Sequence, residues 1–279
     1  HIKNTSYITL YNMFFTIQNE FKASNFSFLF QNLKTFTDNL SVSFNKNKLY
    51  FQSTDSANIT IFELNIVSDW FDEFDVKTNV SIGINTNILA KILSTREKGH
   101  TIRFEYNEDH PDNLSIHFDS NNKEILKREF EIPLVDIDVE VMQIPEQETN
   151  ADIQLSSVNF SNVISQLKLF GDYATIKCNE DIIEFTSHSI ETGKMKVNID
   201  INDLNEYSIT EDMELKMSYT LNYLNNISTF SKLTKNVFIH ITEDFPIKII
   251  YYLDETEDKE KSLSFFLPPM IDNNEKISF

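Results

Sequence analysis

The sequence is poor in the residues that most catalytic and cofactor sites require. Its 279 residues include four glycines, which lie too far apart for a phosphate-binding or dinucleotide-binding loop, since both need several glycines close together. The single cysteine, Cys178, excludes an intramolecular disulfide and a structural zinc site. The six histidines have no zinc-protease spacing, and we expect His100 and His110 in solvated loops. We therefore expect no enzymatic activity, no catalytic residues, no metal and no cofactor.

Long apolar runs are also absent. No stretch approaches the ~20 residues that a membrane span needs, and we expect an intracellular protein whose hydrophobic content of 41% is sufficient for a substantial core. Carboxylates, by contrast, are abundant. The 43 Asp and Glu residues against 24 Lys and Arg give a formal net charge of −19, which alone would argue against a nucleic-acid partner. Net charge, however, does not say how the charges are distributed.

The chain contains an internal repeat. A shift of 134 residues aligns 33–53 with 167–187 without a gap and places Leu33 on Leu167. Each window is predicted to contain the end of a helix and two strands, and each half then has a second helix and further alternating strands. This pattern predicts the α+β class, as two similar domains in which two helices pack on antiparallel sheet.

An acidic linker joins the two halves. The segment 129–154 contains eight Asp or Glu and no Lys or Arg, with Pro133 and Pro145 as breakers. An edge strand with an acidic face is one interpretation. The segment is too apolar for a disordered tether, so part of it is expected to lie extended against one of the domains. The predicted organisation is an N-terminal extension at 1–12, a domain at 13–132, a connector at 133–149, a domain at 150–271 and a tail at 272–279.

Four predicted helices, at 24–37, 85–96, 159–170 and 218–232, contain no Asp or Glu, although the overall composition predicts about eight. Surface helices ordinarily use Glu freely, so its absence indicates a negative partner; chance and the choice of boundaries are the alternative explanation. Periodicity places an apolar stripe of each domain on the sheet. The predicted stripes are Phe26, Leu29, Leu33 and Phe36, and Phe160, Val163, Leu167 and Phe170. The predicted outward residues are Ser27, Gln31 and Lys34, and Asn162, Ser165 and Lys168.

Several stretches resemble the eukaryotic sliding clamps of the proliferating cell nuclear antigen type. They are LYFQSTDS at 49–56, LVDIDVE at 134–140, IPEQE at 144–148 and FFLPPMI at 265–271, with SIGIN at 81–85 and KIL at 91–93 similar to the family's helix start. The IPEQE run after an acidic linker is specific, and the similarity extends over 13–271. The resemblance implies a head-to-tail homotrimer with pseudo-sixfold symmetry, whose helices face duplex DNA without reading its sequence.

The resemblance also assigns residues to each surface. A strand at 123–132 would pair with a strand at 190–199 of the next subunit. The implied DNA-facing residues are Lys34, Lys91, Arg96, Lys168 and Lys232. The implied subunit-interface residues are Leu126, Phe130, Met195 and Val197.

A pocket beneath the connector is implied to bind partner proteins, including DNA polymerase, through a motif with a glutamine and two aromatics, and a clamp loader is implied as a further partner. The implied pocket residues are Asn58, Ile59, Ile61, Met142, Ile144, Pro246, Phe266, Pro268 and Pro269. The pore helices carry fewer cations than is common in the family, and Thr54, Asn58 and Phe266 depart from its usual pocket residues.

The implied function is a replicative processivity factor in a nucleus or at a viral replication site. Two alternatives remain open at the level of sequence. One is a subunit of a heterotrimeric DNA-damage checkpoint ring. The other is a viral clamp-fold protein with a role in transcription or in binding a dedicated partner.

Overall fold

A computed structural model of the protein describes residues 11–137, 142–144 and 148–270. Most of the predicted N-terminal extension, the connector residues 138–141 and 145–147, and the C-terminal tail lie outside the described residues. Within the described ranges, no helix is long and apolar enough to cross a membrane. The chain divides into two compact units, of which unit 1 comprises His1–Lys34, Asp38–Phe51 and Asn65–Val139, and unit 2 comprises Thr35–Thr37, Gln52–Leu64 and Glu140–Phe279.

Among the described residues, the first half contains a 3₁₀ turn at Ser68–Trp70 besides two α-helices and nine strands. In chain order they are β1 (Met13–Ile17), α1 (Glu20–Leu33), β2 (Asn39–Phe44), β3 (Lys48–Thr54), β4 (Ile61–Val67), β5 (Glu73–Val76), β6 (Val80–Asn85), α2 (Thr86–Ser94), β7 (Thr101–Tyr106), β8 (Asn113–Asp119) and β9 (Arg128–Pro133). In unit 1, strands β5-β1-β7-β8-β9 form one antiparallel sheet, and β6-β2-β3 form a second set of paired strands.

The second half repeats this arrangement. Its elements are β10 (Ala151–Ser156), α3 (Ser157–Leu167), β11 (Tyr173–Cys178), β12 (Ile182–Ser189), β13 (Gly193–Asp200), β14 (Glu206–Ile209), β15 (Leu215–Thr220), α4 (Leu221–Ser228), β16 (Asn236–Ile241), β17 (Ile247–Tyr252) and β18 (Lys261–Leu267), with a short 3₁₀ turn at Thr229–Lys232 after α4. In unit 2, strands β14-β10-β16-β17-β18 continue to β4, and β13-β12-β11-β15 form a separate sheet.

The boundaries of these elements confirm the repeat and the α+β prediction. Strands β2 and β11 are related by the shift of 134 residues read from the sequence, and α1 and α3 both end at residues that this shift relates, Leu33 and Leu167. Helices α1, α2 and α3 are each capped at the N-terminus by the side chain of the preceding residue. Asn19, Asn85 and Ser156 each accept a hydrogen bond from a backbone N–H of the first turn. Alternating burial in most strands places one face of each sheet in the core.

Aromatic residues fill much of that core. In unit 1, the ring of Phe15 lies 4.9 Å from those of Phe71 and Phe104. In unit 2, the ring of Phe265 lies 5.2 Å from Phe36 and 5.3 Å from Phe230. Fully buried aromatic rings contribute large apolar areas, so each unit has the core expected of an independent domain.

Parts of the helix prediction were wrong. Helix α1 begins at Glu20, four residues before the predicted start, so it contains one carboxylate in its first turn. Ser27 is not outward-facing, since it is only 5% exposed. In α3 the fully buried apolar positions are Phe160, Ile164 and Leu167, whereas Val163 and Phe170 are half-buried. The apolar stripe of the second domain is therefore rotated by one position from the predicted one.

His100 is not a solvated loop residue, because it is only 1% exposed. Its Nδ1 accepts the backbone N–H of Glu97 at 3.0 Å, and its Nε2 lies 2.9 Å from the carbonyl oxygen of Leu126. The imidazole therefore joins the end of α2 to the segment that leads into β9. His110 is exposed as expected, and burial of Cys178 in the core raises the pKa of its thiol to about 12.

Candidate nucleic-acid interface and partner pocket

Two helix pairs carry the predicted DNA-facing cations. Helix α1 packs with α2 in unit 1, and α3 packs with α4 in unit 2. Lys34 follows α1, Lys91 lies in α2, Lys168 follows α3 and Lys232 ends the turn after α4; all four are exposed. Helices α2, α3 and α4 contain no carboxylate. Their exposed surfaces are therefore neutral to weakly basic in a strongly acidic protein.

Arg96 does not belong with these exposed cations. Its side chain is only 6% exposed, and its Nη2 lies 2.7 Å from Oε2 of Glu20. Burial alone would raise the pKa of Glu20, but hydrogen bonds from the Gly99 N–H and from Arg96 hold that pKa below its usual value. Arg96 and Glu20 therefore neutralise each other and join the start of α1 to the end of α2, which corrects the prediction that Arg96 faces DNA.

Strands β9 and β13 each lie at one edge of a sheet, as β5, β6, β14 and β15 also do among the described residues. Strand β9 ends the five-stranded sheet of unit 1, and β13 ends the four-stranded sheet of unit 2. Both strands are shorter than predicted. Before β9, residues 123–127 form turns and a loop, and before β13, Ile190 lies in the turn that follows β12. Leu126, predicted at the interface, is thus exposed in that loop, with its backbone carbonyl bonded to His100. Phe130 is half-buried in β9, with Met195 and Val197 half-buried in β13.

The two edges carry opposite charges. Along β9, Glu129 and Glu131 are exposed on the face opposite to Phe130, whose ring packs 5.4 Å from the core ring of Phe118. Along β13, Lys194 and Lys196 are exposed on the face opposite to Val197, which is paired with the buried Phe185. Each edge therefore has a charged face and an apolar face. The charged face of β13 is only partly basic, because Lys196 is ion-paired with Glu184 of β12 and Asp200 is exposed on the same face.

An open groove of about 560 Å³ lies between α3 and β13 in unit 2. Val163, Val197, Ile199 and Leu204 supply its apolar wall, and Asn162 and Gln166 line its polar side. The groove runs along the apolar face of the β13 edge. A large side chain from a strand that paired with β13 could enter it.

The predicted partner pocket lies on neighbouring strands of unit 2. Strands β17, β18 and β4 are adjacent in the sheet order. The core rings of Phe62 and Phe265 lie 6.2 Å apart, and side chains alternate along a strand, so Ile61 and Phe266 are on the opposite, outer face. Pro246 precedes β17, and Pro268 and Pro269 follow β18. Ile247 of β17 pairs with Leu267 of β18, so these prolines lie at the same end of the sheet.

A rigid loop borders this face. The buried carboxylate of Asp55 accepts backbone N–H bonds from Ala57, Ile59 and Thr60. Asn58 has a φ of +56°, a left-handed conformation that Asn tolerates better than most residues, and it accepts a 2.7 Å bond from Thr54 Oγ1. These bonds hold Ile59 exposed at the tip of the loop. The loop is therefore preorganised to present an apolar side chain.

Gln52 fixes Met142 in the middle of the connector. Its side-chain Nε2 donates to the carbonyl of Met142 at 3.1 Å, and its Oε1 accepts the N–H of Met142 at 2.7 Å. Ile144, two residues later, is half-buried. The sequence did not predict these two hydrogen bonds, because the residues are 90 positions apart. A glutamine among apolar strand residues was the signal that could have pointed to a specific bonding partner.

The start of the connector is held in unit 1. The N–H of Val135 donates to the carbonyl of Gly83 in β6 at 2.9 Å, and a Cβ at position 83 would lie 1.9 Å from the carbonyl oxygen of Val135. Only glycine allows so close an approach. These contacts hold the start of the connector against β6. Residues 138–141 and 145–147 of the connector lie outside the described residues.

Comparisons with known proteins decide the family. The model of the proliferating cell nuclear antigen N-terminal domain matches residues 17–142, and the model of the C-terminal domain matches residues 143–270. The chain belongs to the proliferating cell nuclear antigen family. The two models together cover nearly the whole described sequence, so the resemblance found in short motifs extends to both domains.

Individual relatives agree with this assignment. The chain is 24% identical to "Proliferating cell nuclear antigen 2" of Drosophila melanogaster over 210 residues, which are 75% of this chain and 81% of that protein. Its fold is similar to the crystal structure of Proliferating Cellular Nuclear Antigen from Entamoeba histolytica, with a TM-score of 0.82, 21% identity and coverage of 94% of this chain and 100% of the other. This structural likeness supports the family fold.

The Gln52 contact yields the first testable prediction. Replacing Gln52 with Ala removes both hydrogen bonds to Met142, each worth about 1 kcal/mol net, so the connector should open more often. Hydrogen exchange at the Met142 amide should accelerate by about tenfold or more. Gln143→Ala provides the matched control, because Gln143 is exposed. Unchanged exchange in Gln52→Ala would contradict this role for Gln52.

Proposed function

We propose that this protein is a DNA sliding clamp, a ring that encircles duplex DNA and tethers DNA polymerase and other replication and repair proteins. The observation that carries the proposal is the near absence of carboxylates from the exposed helix faces of a family member whose net charge is −19. The matches with proliferating cell nuclear antigens favour this function over the checkpoint-ring and transcription alternatives. Such a clamp acts as a scaffold rather than as an enzyme, and it works in a nucleus or at a viral replication site.

The helices of the two proposed domains, 13–132 and 150–271, would line the pore. Exposed Lys34, Lys91, Lys168 and Lys232 are few for a DNA-binding surface, so each subunit contributes only weak attraction to phosphates. The neighbouring polar residues, such as Asn162, Ser165 and Asn222, neither attract nor repel the backbone strongly. Removal of repulsion would let the ring slide, and closure of the ring would keep it on DNA.

Assembly of a homotrimer would join β9 of one subunit to β13 of the next. Unpaired strand edges readily accept another strand, because their backbone N–H and C=O groups lack partners. Antiparallel pairing would set Glu129 and Glu131 beside Lys194 and Lys196. On the other face, Phe130 would lie against Val197 and the groove beside α3. The contact is heterologous, so three copies close a ring when the rotation between subunits closes.

Partner proteins would bind the outer face near the connector. Ile59, Ile61, Met142, Ile144, Pro246, Phe266, Pro268 and Pro269 supply an apolar surface, and Asn58 borders it. Aromatic anchors of a partner peptide bind such surfaces tightly because they displace water from apolar groups. We propose that motifs with a glutamine and two aromatics, in polymerases and other replication proteins, bind here, and that a clamp loader opens the ring.

Charge reversal on the helices tests the proposed pore. Replacing Lys34, Lys91 and Lys168 together with Glu adds repulsion between each subunit and the phosphates. Stimulation of a cognate polymerase on a primed linear template should fall by at least about tenfold, while the sedimentation coefficient stays unchanged.

A matched variant controls for the change in net charge. Lys46, Lys216 and Lys259 are exposed and lie outside the helices, and replacing these three with Glu should leave stimulation nearly intact. Equal loss of stimulation in both triple variants, or no loss in the helix variant, would refute the assignment of these helices to the pore.

Charge reversal at the edges tests the assembly. The wild-type protein should sediment as a trimer of the 32.6 kDa chain. Changing Glu129 and Glu131 to Lys, or Lys194 and Lys196 to Glu, turns favourable cross-strand pairs into repulsive ones and should weaken assembly by about tenfold or more, since each pair contributes up to about 1 kcal/mol.

Combining all four changes restores opposite charges at every interface and should restore the trimer. A wild-type protein that stays monomeric and assembles only with foreign subunits would overturn the homotrimer. Failure of the combined variant to recover, despite an unchanged thermal unfolding midpoint, would overturn the proposed pairing of β9 with β13.

A further inference from the structure

A buried histidine joins the end of α2 to the loop that leads into β9. His100 is only 1% exposed. Its Nδ1 accepts the N–H of Glu97 at 3.0 Å, and its Nε2 lies 2.9 Å from the carbonyl oxygen of Leu126. A backbone N–H can only donate and a carbonyl oxygen can only accept, so Nδ1 carries the lone pair and Nε2 carries the hydrogen. The geometry therefore requires a neutral imidazole in the Nε2–H tautomer.

Further contacts hold the same part of the chain. The guanidinium of Arg128, the first residue of β9, donates to the carbonyl of Thr95 and to the carboxylate of Glu97. The imidazole of His100 also packs against the ring of Phe118 in β8, with the two ring centroids 5.6 Å apart. The backbone that enters β9 is thus fixed both before and at the first residue of the strand.

The side chain of Leu126 points away from these contacts into solvent. It is 74% exposed, although the carbonyl of the same residue is bonded to a fully buried ring. An apolar group that is already held in place loses little conformational freedom when it binds, so Leu126 is preorganised for contact with another molecule.

The open groove between α3 and β13 offers an apolar surface of matching position. Paired residues run in opposite directions in an antiparallel pair, so with Phe130 opposite Val197, Leu126 of one copy falls opposite residue 201 of the next. That residue begins the short 3₁₀ turn that follows β13. Ile199 and Leu204, on either side of this turn, line the groove of about 560 Å³. The end of the groove therefore lies where Leu126 would arrive.

We propose that His100 is a positioning residue for subunit assembly, which fixes Leu126 so that its side chain enters the groove between α3 and β13 of a second copy of this chain. This inference rests on the proposed pairing of β9 with β13. Transfer of an exposed leucine from water into an apolar groove stabilises the contact. Loss of the His100 bonds would leave buried backbone groups without partners, and the loop would open to water.

Shortening the exposed side chain tests the groove contact. Leu126→Ala should raise the trimer dissociation constant by about tenfold, measured by sedimentation over a concentration series, while the thermal unfolding midpoint of the subunit stays unchanged. Leu169→Ala is the matched control, because Leu169 is 70% exposed in the turn after α3. It should assemble as the wild type does.

Replacing the imidazole tests the positioning role. His100→Phe keeps a ring beside Phe118 but removes both hydrogen bonds, and it should weaken assembly by about tenfold. His100→Gln retains one acceptor and one donor and should recover most of the loss. Adding Leu126→Ala to His100→Phe should cost little beyond Leu126→Ala alone, because His100 acts through Leu126.

The tautomer supplies a readout that does not depend on folding of the His100→Phe variant. Nitrogen-15 NMR of wild-type protein labelled at histidine should show His100 protonated at Nε2 alone at neutral pH, with its signals assigned by their loss in His100→Gln. Protonation at Nδ1, alone or together with Nε2, would contradict the hydrogen bonds on which the inference depends.

Failure of the inference and failure of the proposed assembly are distinguishable. An unchanged dissociation constant in Leu126→Ala would overturn the positioning role and leave the pairing of β9 with β13 standing. An effect of His100→Phe that is undiminished when Leu126 is already replaced by Ala would do the same. A wild-type protein that stays monomeric would instead overturn the pairing and, with it, the role of His100.

Discussion

A strongly acidic protein can approach the DNA backbone only through a surface from which carboxylates have been removed, because carboxylates and phosphates repel. In this chain the constraint is met by three helices with no Asp or Glu and by a fourth, α1, whose carboxylate is ion-paired. Glu20 does not violate the constraint, since the buried guanidinium of Arg96 neutralises it. Among the described residues, the other carboxylates lie outside these four helices, although Asp38, Glu97 and Asp172 closely follow helix ends and Asp38 accepts a hydrogen bond from Asn87 of α2.

The proposed ring meets a second need of the same molecule. Strands β9 and β13 are open edges of their sheets, and the proposed pairing would set Glu129 and Glu131 beside Lys194 and Lys196. Open edges are a liability in a monomer, because they invite indiscriminate strand pairing. The proposed heterologous pairing between copies would satisfy those backbone groups and would also close the path around DNA. In this account, assembly and DNA retention depend on the same two strands.

Local patterns in the sequence were sufficient to predict the repeat, the α+β class and the exposure of Lys34 and Lys168. Contacts between distant residues were not predictable in the same way. The burial of His100 depends on the backbone carbonyl of Leu126, 26 residues away, and the anchoring of Met142 depends on Gln52, 90 residues away. Arg96 was misassigned because its partner, Glu20, lies before the apolar stripe that marked the helix.

Dependence on free DNA ends tests the central claim most directly, since a ring held by topology must thread onto a linear duplex. The measurement compares retention of the protein on bead-attached linear DNA whose free end is open, blocked before the protein is added, or blocked afterwards. The account predicts little binding when the end is blocked first, binding that is lost in high salt when the end stays open, and salt-resistant retention when the end is blocked afterwards. Equal retention on all three substrates would contradict encirclement and would show that the protein binds DNA through its surface alone.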